Sequence, residues 1–172
     1  LKIAAFDLDD TLITTKSGLK FSRSPNDWKL KYNSIHDKFK DLIKDNFIII
    51  IFTNQGGVTN KFESKSLNNL IVKLNSIINE FKQTPLIIYG ATKKSKVDKL
   101  ASDVKIHDYF RKPNTGMFNQ FLIDNELVSN DLDLDSCFFV GDAAGRPTDF
   151  SDSDLKFASS LNFKFILPED YF

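Results

Sequence analysis

The chain has 172 residues, 41% of them hydrophobic, and its 23 basic and 23 acidic side chains give a net charge of +0. A protein that coats long duplex DNA usually carries a strong basic excess, so any nucleic-acid contact of this chain is expected to be short and local. The lone cysteine, Cys137, excludes a disulfide within the chain, and no apolar stretch is long enough to span a bilayer, so we expect a reducing compartment and no membrane partner.

Apolar runs and helical spacings alternate along the chain. In order, they predict strand 1–6, helix 34–45, strand 47–52, helix 63–82, strand 86–89, helix 95–103, a helix from 115 through 122, strand 137–140, helix 152–161 and strand 163–167. Residues 12–33 are predicted to be irregular because Gly18, Pro25 and Asn26 interrupt them. This order predicts one domain over 1–172, a three-layer, Rossmann-like α/β fold with a mostly parallel sheet. The insertions after the first two strands are short, so no large cap domain is expected. Because Leu1 already lies in a strand-like run, flanking parts of a longer protein are also expected.

Polar segments follow the predicted strands, where open α/β sheets bind ligands. They are Asp7-Leu8-Asp9-Asp10-Thr11, Thr53-Asn54-Gln55-Gly56-Gly57 and Gly141-Asp142-Ala143-Ala144-Gly145-Arg146, with Arg111-Lys112-Pro113 before a predicted helix. Taken singly, each segment is also typical of a turn, a helix cap or a solvated surface. Their combination at strand ends favours a shared site.

The residue types suit hydrolysis of a phosphate monoester, which needs a nucleophile, a cation on the phosphoryl oxygens and a proton for the leaving oxygen. Asp7 is the candidate nucleophile because carboxylates form aspartyl-phosphates. Asp9 would point the same way in an extended segment and serve as general acid, then base. Thr53 can donate a hydrogen bond to the phosphoryl group, and Lys112 can balance its charge.

Carboxylates gathered at one point repel each other, and a hard dication relieves that repulsion. Mg²⁺ fits such an oxygen-rich site and also binds phosphate oxygens. Asp142, at the end of the fourth predicted strand, is the natural second acidic ligand.

These segments resemble the motifs of the haloacid dehalogenase superfamily of phosphohydrolases. Residues 6–12 are similar to its first motif, and Thr53, Lys112 and Asp142 fall where its other motifs belong. The resemblance implies that Mg²⁺ is held by the Asp7 carboxylate, the Asp9 main-chain carbonyl and Asp142. It also implies that the strand before Asp7 is central in the sheet.

A closer resemblance, over nearly the whole chain, is to the polynucleotide kinase 3′-phosphatase family. The segments that carry it include 7–18, 24–28, 52–55, 111–117 and 140–147. It implies Mg²⁺-dependent removal of the 3′-phosphate from DNA strand-break ends through an aspartyl-phosphate, in DNA repair and in the nucleus. It also implies that Asp154 supports the metal site, that the chain is a monomer, and that other repair proteins are candidate partners.

Thr11, Asn54, Gln55 and Arg111 are the candidate substrate-binding residues, and Arg111 is placed to hold the penultimate phosphate of a strand. The basic cluster of Lys93, Lys94, Lys96 and Lys99 either follows a DNA backbone or is a solvated face. Trp28 and Tyr32 could stack on a base, but core packing is the preferred interpretation.

The sequence departs from the family that it resembles at Asp10, where that family often has a glycine, and at Asn60 and Lys61, where its members are more basic. It has no Gly-x-x-x-x-Gly-Lys-Ser/Thr loop, so phosphorylation of 5′ ends is not expected of these residues.

Two other functions remain open. One is a small-molecule phosphatase of the same superfamily, acting on a sugar or histidinol phosphate. Such enzymes often carry a zinc loop, which one cysteine and two histidines cannot form in its usual way. The other is a non-catalytic DNA-end binding module, which the complete set of candidate catalytic residues argues against.

Overall fold

The computed structural model describes residues 1–93 and 108–172. The strands, in chain order, are β1 (Lys2–Phe6), β2 (Ile13–Thr14), β3 (Lys29–Leu30), β4 (Phe47–Thr59), β5 (Ile87–Lys93), β6 (Phe138–Val140) and β7 (Lys164–Ile166). The helices are α1 (Ile35–Lys44), α2 (Lys65–Glu80), α3 (Gly116–Asp124), α4 (Ser153–Leu161) and α5 (Pro168–Tyr171), with a 3₁₀ turn at Ser129–Asp131. The predicted helix 95–103 lies outside the described residues.

In the described part of the chain, five parallel strands form the central sheet in the order β5-β4-β1-β6-β7. β1 lies in the middle, between β4 and β6, as the superfamily resemblance implied. The carboxyl ends of β1, β4 and β6 therefore meet at one edge of the sheet, where ligands bind in such folds.

Both faces of the sheet are covered by apolar side chains. On β1, Ile3 and Ala5 point into the cluster that packs against α3 and α4, whereas Ala4 and Phe6 point into the cluster that packs against α1 and α2. This alternation is the period of two that a strand imposes, and burial on both sides explains the continuous apolar runs. The three-layer α/β prediction is confirmed.

The structure corrects the end of the second predicted strand. β4 continues to Thr59, because the backbone of Asn54 and Gln55 pairs with β5 before an irregularity between Gln55 and Thr59. The apolar run ends at Phe52, so the sequence pattern marks where burial ends and not where pairing ends. A strand, not a turn, therefore presents Thr53.

Residues 12–33 contain one piece of regular structure, the antiparallel pair of β2 and β3. No large cap is inserted between β1 and α1, where every residue is described. Trp28 and Tyr32 pack against the α1/α2 side of the core, and the Tyr32 ring stacks on Phe172 with centroids 5.2 Å apart. The preference for core packing over base stacking is thus confirmed.

Cys137 is buried beside β1, where its sulfur accepts a hydrogen bond from the Ile3 amide at 3.3 Å. It is a core residue, as expected from its apolar neighbours. Within 1–93 and 108–172, no helix combines the length and apolarity that crossing a bilayer requires.

Asp27 is expected to stabilise the segment before it through its ionised carboxylate. That carboxylate accepts hydrogen bonds from the Ser17 hydroxyl at 2.7 Å and from the Ser17 and Arg23 amides at 2.8 Å, and these bonds lower the pKa of Asp27 to about 2. A lowered folded-state pKa means that the stabilisation is present above about pH 4 and is lost as the pH falls through about 2. We expect Asp27→Asn to lower the melting temperature at pH 7, with a difference that shrinks in acid. An unchanged melting temperature at pH 7 would contradict this assignment.

Candidate active site

Asp7 is the first residue after the central strand. Its amide donates a hydrogen bond to the Val140 carbonyl of β6 at 2.9 Å, so the backbone of Asp7 is fixed against β6. The residue is 8% exposed, with one side of its carboxylate facing buried groups. A rigid sheet edge therefore presents the candidate nucleophile.

Lys112 bridges two acidic side chains at the bottom of the site. Its Nζ atom lies 2.8 Å from Asp7 Oδ1 and 2.7 Å from Asp154 Oδ1, and the residue is only 3% exposed. Asn54 fixes the backbone of Lys112, because its Oδ1 accepts from the Lys112 amide at 2.9 Å and its Nδ2 donates to the Lys112 carbonyl at 3.1 Å. Asn54 of β4 thus sets the position of the ammonium that faces Asp7.

Three carboxylates meet above this lysine. Oxygens of Asp7, Asp142 and Asp154 lie within 4.8 Å of one another. The Thr11 hydroxyl lies 3.3 Å from both Asp7 Oδ2 and Asp142 Oδ1, so it donates to one of them at a time. Asp154 Oδ2 accepts from the Ala143 amide at 3.0 Å, which ties α4 to the loop that carries Asp142.

Burial and mutual charge shift the pKa values of the residues in this cluster. Burial, together with the negative charge of Asp154, raises the pKa of Asp7 well above its usual range, against the opposing effect of Lys112. Burial also raises the pKa of Asp142. Burial would lower the pKa of Lys112, but the charges of Asp7 and Asp154 outweigh it and the pKa is raised.

The donor set fits a divalent cation. Among the described residues, three carboxylates face one ammonium, which leaves two excess negative charges when all three carboxylates are ionised. All the side-chain donors are carboxylate oxygens, the ligands that Mg²⁺ prefers. Both oxygens of Asp154 already accept hydrogen bonds from the protein, so its place is in support of the other two carboxylates.

Asp9 lies at the mouth of the site. Its side chain is 50% exposed, and its Oδ2 accepts a hydrogen bond from Gln55 Nε2 at 3.0 Å. The same Gln55 amide lies 2.9 Å from Thr53 Oγ1, so Asp9, Gln55 and Thr53 form a second, more open wall. Thr53 itself is buried at the end of the sheet, where its hydroxyl hydrogen can turn toward a bound phosphoryl group.

The backbone conformation of residue 10 explains why a glycine is often found where this chain has Asp10. This residue has a φ of 61°, in the left-handed region that glycine adopts without cost and that aspartate tolerates better than most residues. Its carbonyl accepts a hydrogen bond from Lys31 Nζ at 2.6 Å, and its side chain is exposed.

Gly141 allows the close approach of Asp154. A Cβ atom at this position would lie 2.6 Å from the Cβ, Cγ and Oδ2 atoms of Asp154. We expect Gly141→Ala to push Asp154 away from Lys112 and to lower the free energy of unfolding by about 1–3 kcal/mol, the usual effect of overpacking. Turnover should fall as well.

The matched control is Gly57→Ala, because a Cβ atom there would meet nothing within 4 Å. Urea unfolding of both variants, with turnover measured in parallel, checks the prediction. Equal stability of the two variants would contradict it.

The sequence-based candidates fall into two groups. Asp7, Lys112, Asp142 and Asp154 come together with Thr11, and Asp9, Thr53 and Gln55 form the adjoining wall, as described above. Arg111 lies beside this site, with its guanidinium packed over Gly56. Thr11, Asn54 and Gln55 are hydrogen-bonded to other site residues, so their contact with substrate stays a prediction.

Two further residues, outside the sequence-based candidates, support the site. Arg146 donates to the Asp142 carbonyl at 3.2 Å and pairs with Asp149 and Glu169, which steadies the Asp142 loop. Lys73 of α2 approaches Asp9. Arg146 lies in the polar segment 141–146 that follows the fourth predicted strand, so its position near the site could be expected. No sequence pattern places Lys73 near the site, because the helical spacing puts it on a polar face.

Comparison with protein families and known sequences gives a consistent result. The family model described as "Polynucleotide kinase 3 phosphatase" matches residues 2–172. The chain is 41% identical over 171 residues to a bifunctional polynucleotide phosphatase/kinase of Schizosaccharomyces pombe, with 99% of this chain and 37% of that protein covered. It is 36% identical over 208 residues to a polynucleotide 3′-phosphatase of Saccharomyces cerevisiae, with 100% of this chain and 87% of that protein covered. It therefore spans well under half of the first relative and most of the second.

Solved structures show the same fold at low sequence identity. A D,D-heptose 1,7-bisphosphate phosphatase from B. bronchiseptica, complexed with magnesium and phosphate, aligns with a TM-score of 0.64 at 20% identity, over 97% of this chain and 80% of that one. A Mesorhizobium loti protein described as a HAD-like phosphatase aligns with a TM-score of 0.66 at 16% identity, over 95% and 69% of the two chains. The haloacid dehalogenase-like fold is thus confirmed.

Proposed function

The chain belongs to the polynucleotide kinase 3 phosphatase family, and we propose that it is a Mg²⁺-dependent phosphatase that removes the 3′-phosphate from DNA strand-break ends. The observation that carries the proposal is the buried cluster in which Lys112 joins Asp7 to Asp154 beside Asp142. A nucleophile, an anion-balancing ammonium and a set of oxygen donors meet there at the carboxyl edge of a parallel sheet.

In the first step, a carboxylate oxygen of Asp7 attacks the phosphorus atom of the terminal 3′-phosphate. The bond between phosphorus and O3′ breaks, and Asp9 donates its carboxyl proton to O3′, which leaves as the 3′-hydroxyl of the strand. Lys112 keeps the attacking carboxylate oriented and balances the charge of the phosphoryl oxygens. Thr53 donates a hydrogen bond to one of those oxygens.

In the second step, water attacks the phosphorus atom of the aspartyl-phosphate. Asp9, now a carboxylate, takes a proton from that water, and inorganic phosphate leaves as the Asp7 carboxylate is restored. The position of Asp9 at the mouth of the site, half exposed and two residues from Asp7, suits both proton transfers.

The Asp7 and Asp142 carboxylates and the Asp9 carbonyl would hold Mg²⁺, with Asp154 in support. When bound, the ion supplies positive charge that neutralises the phosphoryl oxygens and the crowded carboxylates. Burial and the neighbouring carboxylates raise the pKa of Asp7 and so disfavour its ionised form. The positive charge of the ion would oppose that effect.

We expect turnover to be abolished by a chelator and restored by Mg²⁺. Mg²⁺ should also raise the melting temperature. The carboxylates are close together only in the folded protein, so an ion that relieves their repulsion binds and stabilises the folded state alone. Asp142→Asn should remove most of that rise, whereas Asp135→Asn, on the exposed surface, should keep it. Metal-independent turnover, or an equal rise in both variants, would contradict the assignment.

A polynucleotide end suits the exposure of Asp9 among the residues that the structure describes. The described segments around it, residues 7–34 and 53–64, contain only the β2/β3 pair and the end of β4, with no cap over Asp9. Among the described residues the Asp9 side chain is 50% exposed, which leaves room for a long strand, whereas a small metabolite would need other groups to enclose it. The even charge balance of the chain fits a contact confined to the strand end.

The substrate is tested by comparing an oligonucleotide phosphorylated at its 3′ end, the same oligonucleotide phosphorylated at its 5′ end, and a panel that includes sugar and histidinol phosphates. We expect the highest kcat/KM for the 3′-phosphorylated strand. A preference for a metabolite would favour the small-molecule phosphatase. Binding of the strand without phosphate release would favour a DNA-end binding module.

A role in DNA repair, a nuclear location and a monomeric state are part of the same proposal. Imaging of the tagged protein and size-exclusion chromatography test the last two directly.

A further inference from the structure

Lys73 occupies an unusual place for a lysine on the polar face of a helix. Its side chain is only 12% exposed, and its Nζ atom lies 3.6 Å from Asp9 Oδ1. The same ammonium donates a hydrogen bond to the Ser22 hydroxyl at 3.1 Å. It therefore joins α2 to two segments that follow the central strand, one of which carries the candidate acid.

The Asp9 carboxylate is held from two sides. Lys73 faces Oδ1, and Gln55 Nε2 donates to Oδ2 at 3.0 Å. A side chain that is 50% exposed would otherwise exchange between rotamers, and each of these contacts reduces that freedom. Gln55 also contacts Thr53 at 2.9 Å, so it orients Asp9 relative to the phosphoryl site, while Lys73 orients it relative to α2.

We propose that Lys73 is a positioning residue that aims the Asp9 carboxyl group at the leaving oxygen of the substrate. This inference rests on the proposed function, because it assumes that Asp9 protonates O3′ as the bond between phosphorus and O3′ breaks. Lys73 neither gains nor loses a proton in that step. It keeps Asp9 within reach of O3′, and proton transfer depends steeply on such geometry.

Ser22 is the anchor of this arrangement. Its hydroxyl lies 3.1 Å from Lys73 Nζ and 3.3 Å from the Asp27 carbonyl, and Asp27 in turn organises the segment from Ser17. The ammonium is thereby supported by a hydrogen-bonded segment of defined shape, which is what a positioning contact requires.

A single-atom change in the substrate distinguishes a residue that positions the general acid from one that contacts DNA or only stabilises the fold. In an oligonucleotide whose 3′ oxygen is replaced by a bridging sulfur, the bond between phosphorus and sulfur breaks and the thiolate leaves without needing a proton. The strand and its phosphate contacts are otherwise the same. A residue that acts through the general acid should therefore matter for the oxygen substrate and not for the sulfur substrate.

We expect Lys73→Met to lower kcat/KM about tenfold or more on the 3′-phosphorylated oligonucleotide, which is a part of the roughly 10²–10⁴-fold that general acid catalysis contributes as a whole. On the bridging-sulfur oligonucleotide the loss should be about twofold or less on the same reasoning. Lys73→Arg should recover most of the activity, because its guanidinium can reach the same carboxylate. Lys82→Met, in the exposed turn two residues after α2, is the control that should change neither rate.

Asp9→Asn and the double variant Asp9→Asn with Lys73→Met complete the experiment. If Lys73 acts through Asp9, the second substitution adds no further loss, since the two effects are not additive. Equal losses on the oxygen and sulfur substrates would overturn the proposal in favour of a contact with the DNA backbone or a purely structural role. No loss on either substrate would also overturn it. Failure of the unaltered protein to cleave either strand would instead overturn the proposed function.

Discussion

Asp7→Asn is expected to lower turnover on a 3′-phosphorylated oligonucleotide by about 10⁴-fold or more, as removal of a catalytic nucleophile does in other enzymes. An amide oxygen is a poor nucleophile, so the phosphoryl group has no acceptor. The side chain keeps its size and its position after the central strand. The loss should therefore appear in turnover and not in folding.

The stability of this variant is informative in its own right. Burial and neighbouring carboxylates disfavour the charge on Asp7, so its removal should leave the melting temperature unchanged or raise it. Asp135→Asn, in an exposed turn, is the matched control and should retain both activity and stability. Turnover retained by Asp7→Asn would rule out the covalent mechanism.

Lys112→Met is expected to have the largest effect on stability. The lysine is 3% exposed and lies between the carboxylates of Asp7 and Asp154, so methionine would leave two buried acidic groups without their partner. Breaking a buried ion pair in this way costs about 3–5 kcal/mol of unfolding free energy. Turnover should be lost as well, because the ammonium also balances the phosphoryl charge.

A second substitution tests this reason. The double variant Asp7→Asn with Lys112→Met has one fewer unpaired carboxylate and should be more stable than Lys112→Met alone. Urea unfolding in the presence of a chelator, so that no divalent ion compensates, measures both values. If Lys112→Met unfolds at the same urea concentration as the unaltered protein, the ion pair contributes little and the electrostatic account of the site is wrong.

The fold and the inner site follow from local patterns. Burial on both faces makes each central strand a continuous apolar run, so the positions of β1, β4 and β6 are visible in the sequence. The polar residue after each run must then lie at the same edge of the sheet. This is why Asp7 and Asp142, far apart in the chain, can be expected to meet.

Other features depend on pairing and packing that no local pattern records. β4 continues through Asn54 and Gln55 because β5 lies beside them, although their side chains are polar. Asparagine is a residue type that is common in turns, and only the three-dimensional structure shows that Asn54 holds the backbone of Lys112. Lys73 reads as an ordinary exposed lysine until α2 is packed against the sheet.

The central claim is that Asp7 itself receives the phosphoryl group. An oligonucleotide with a radiolabelled 3′-phosphate is mixed with excess protein, quenched in acid on the millisecond-to-second scale, and the protein is cut with trypsin, which should release residues 3–16 as one peptide. The account predicts transient label on that peptide, located at Asp7 by fragmentation, and none in Asp7→Asn. Complete release of phosphate with no label on the peptide at any quench time, or label on a different residue, would contradict it.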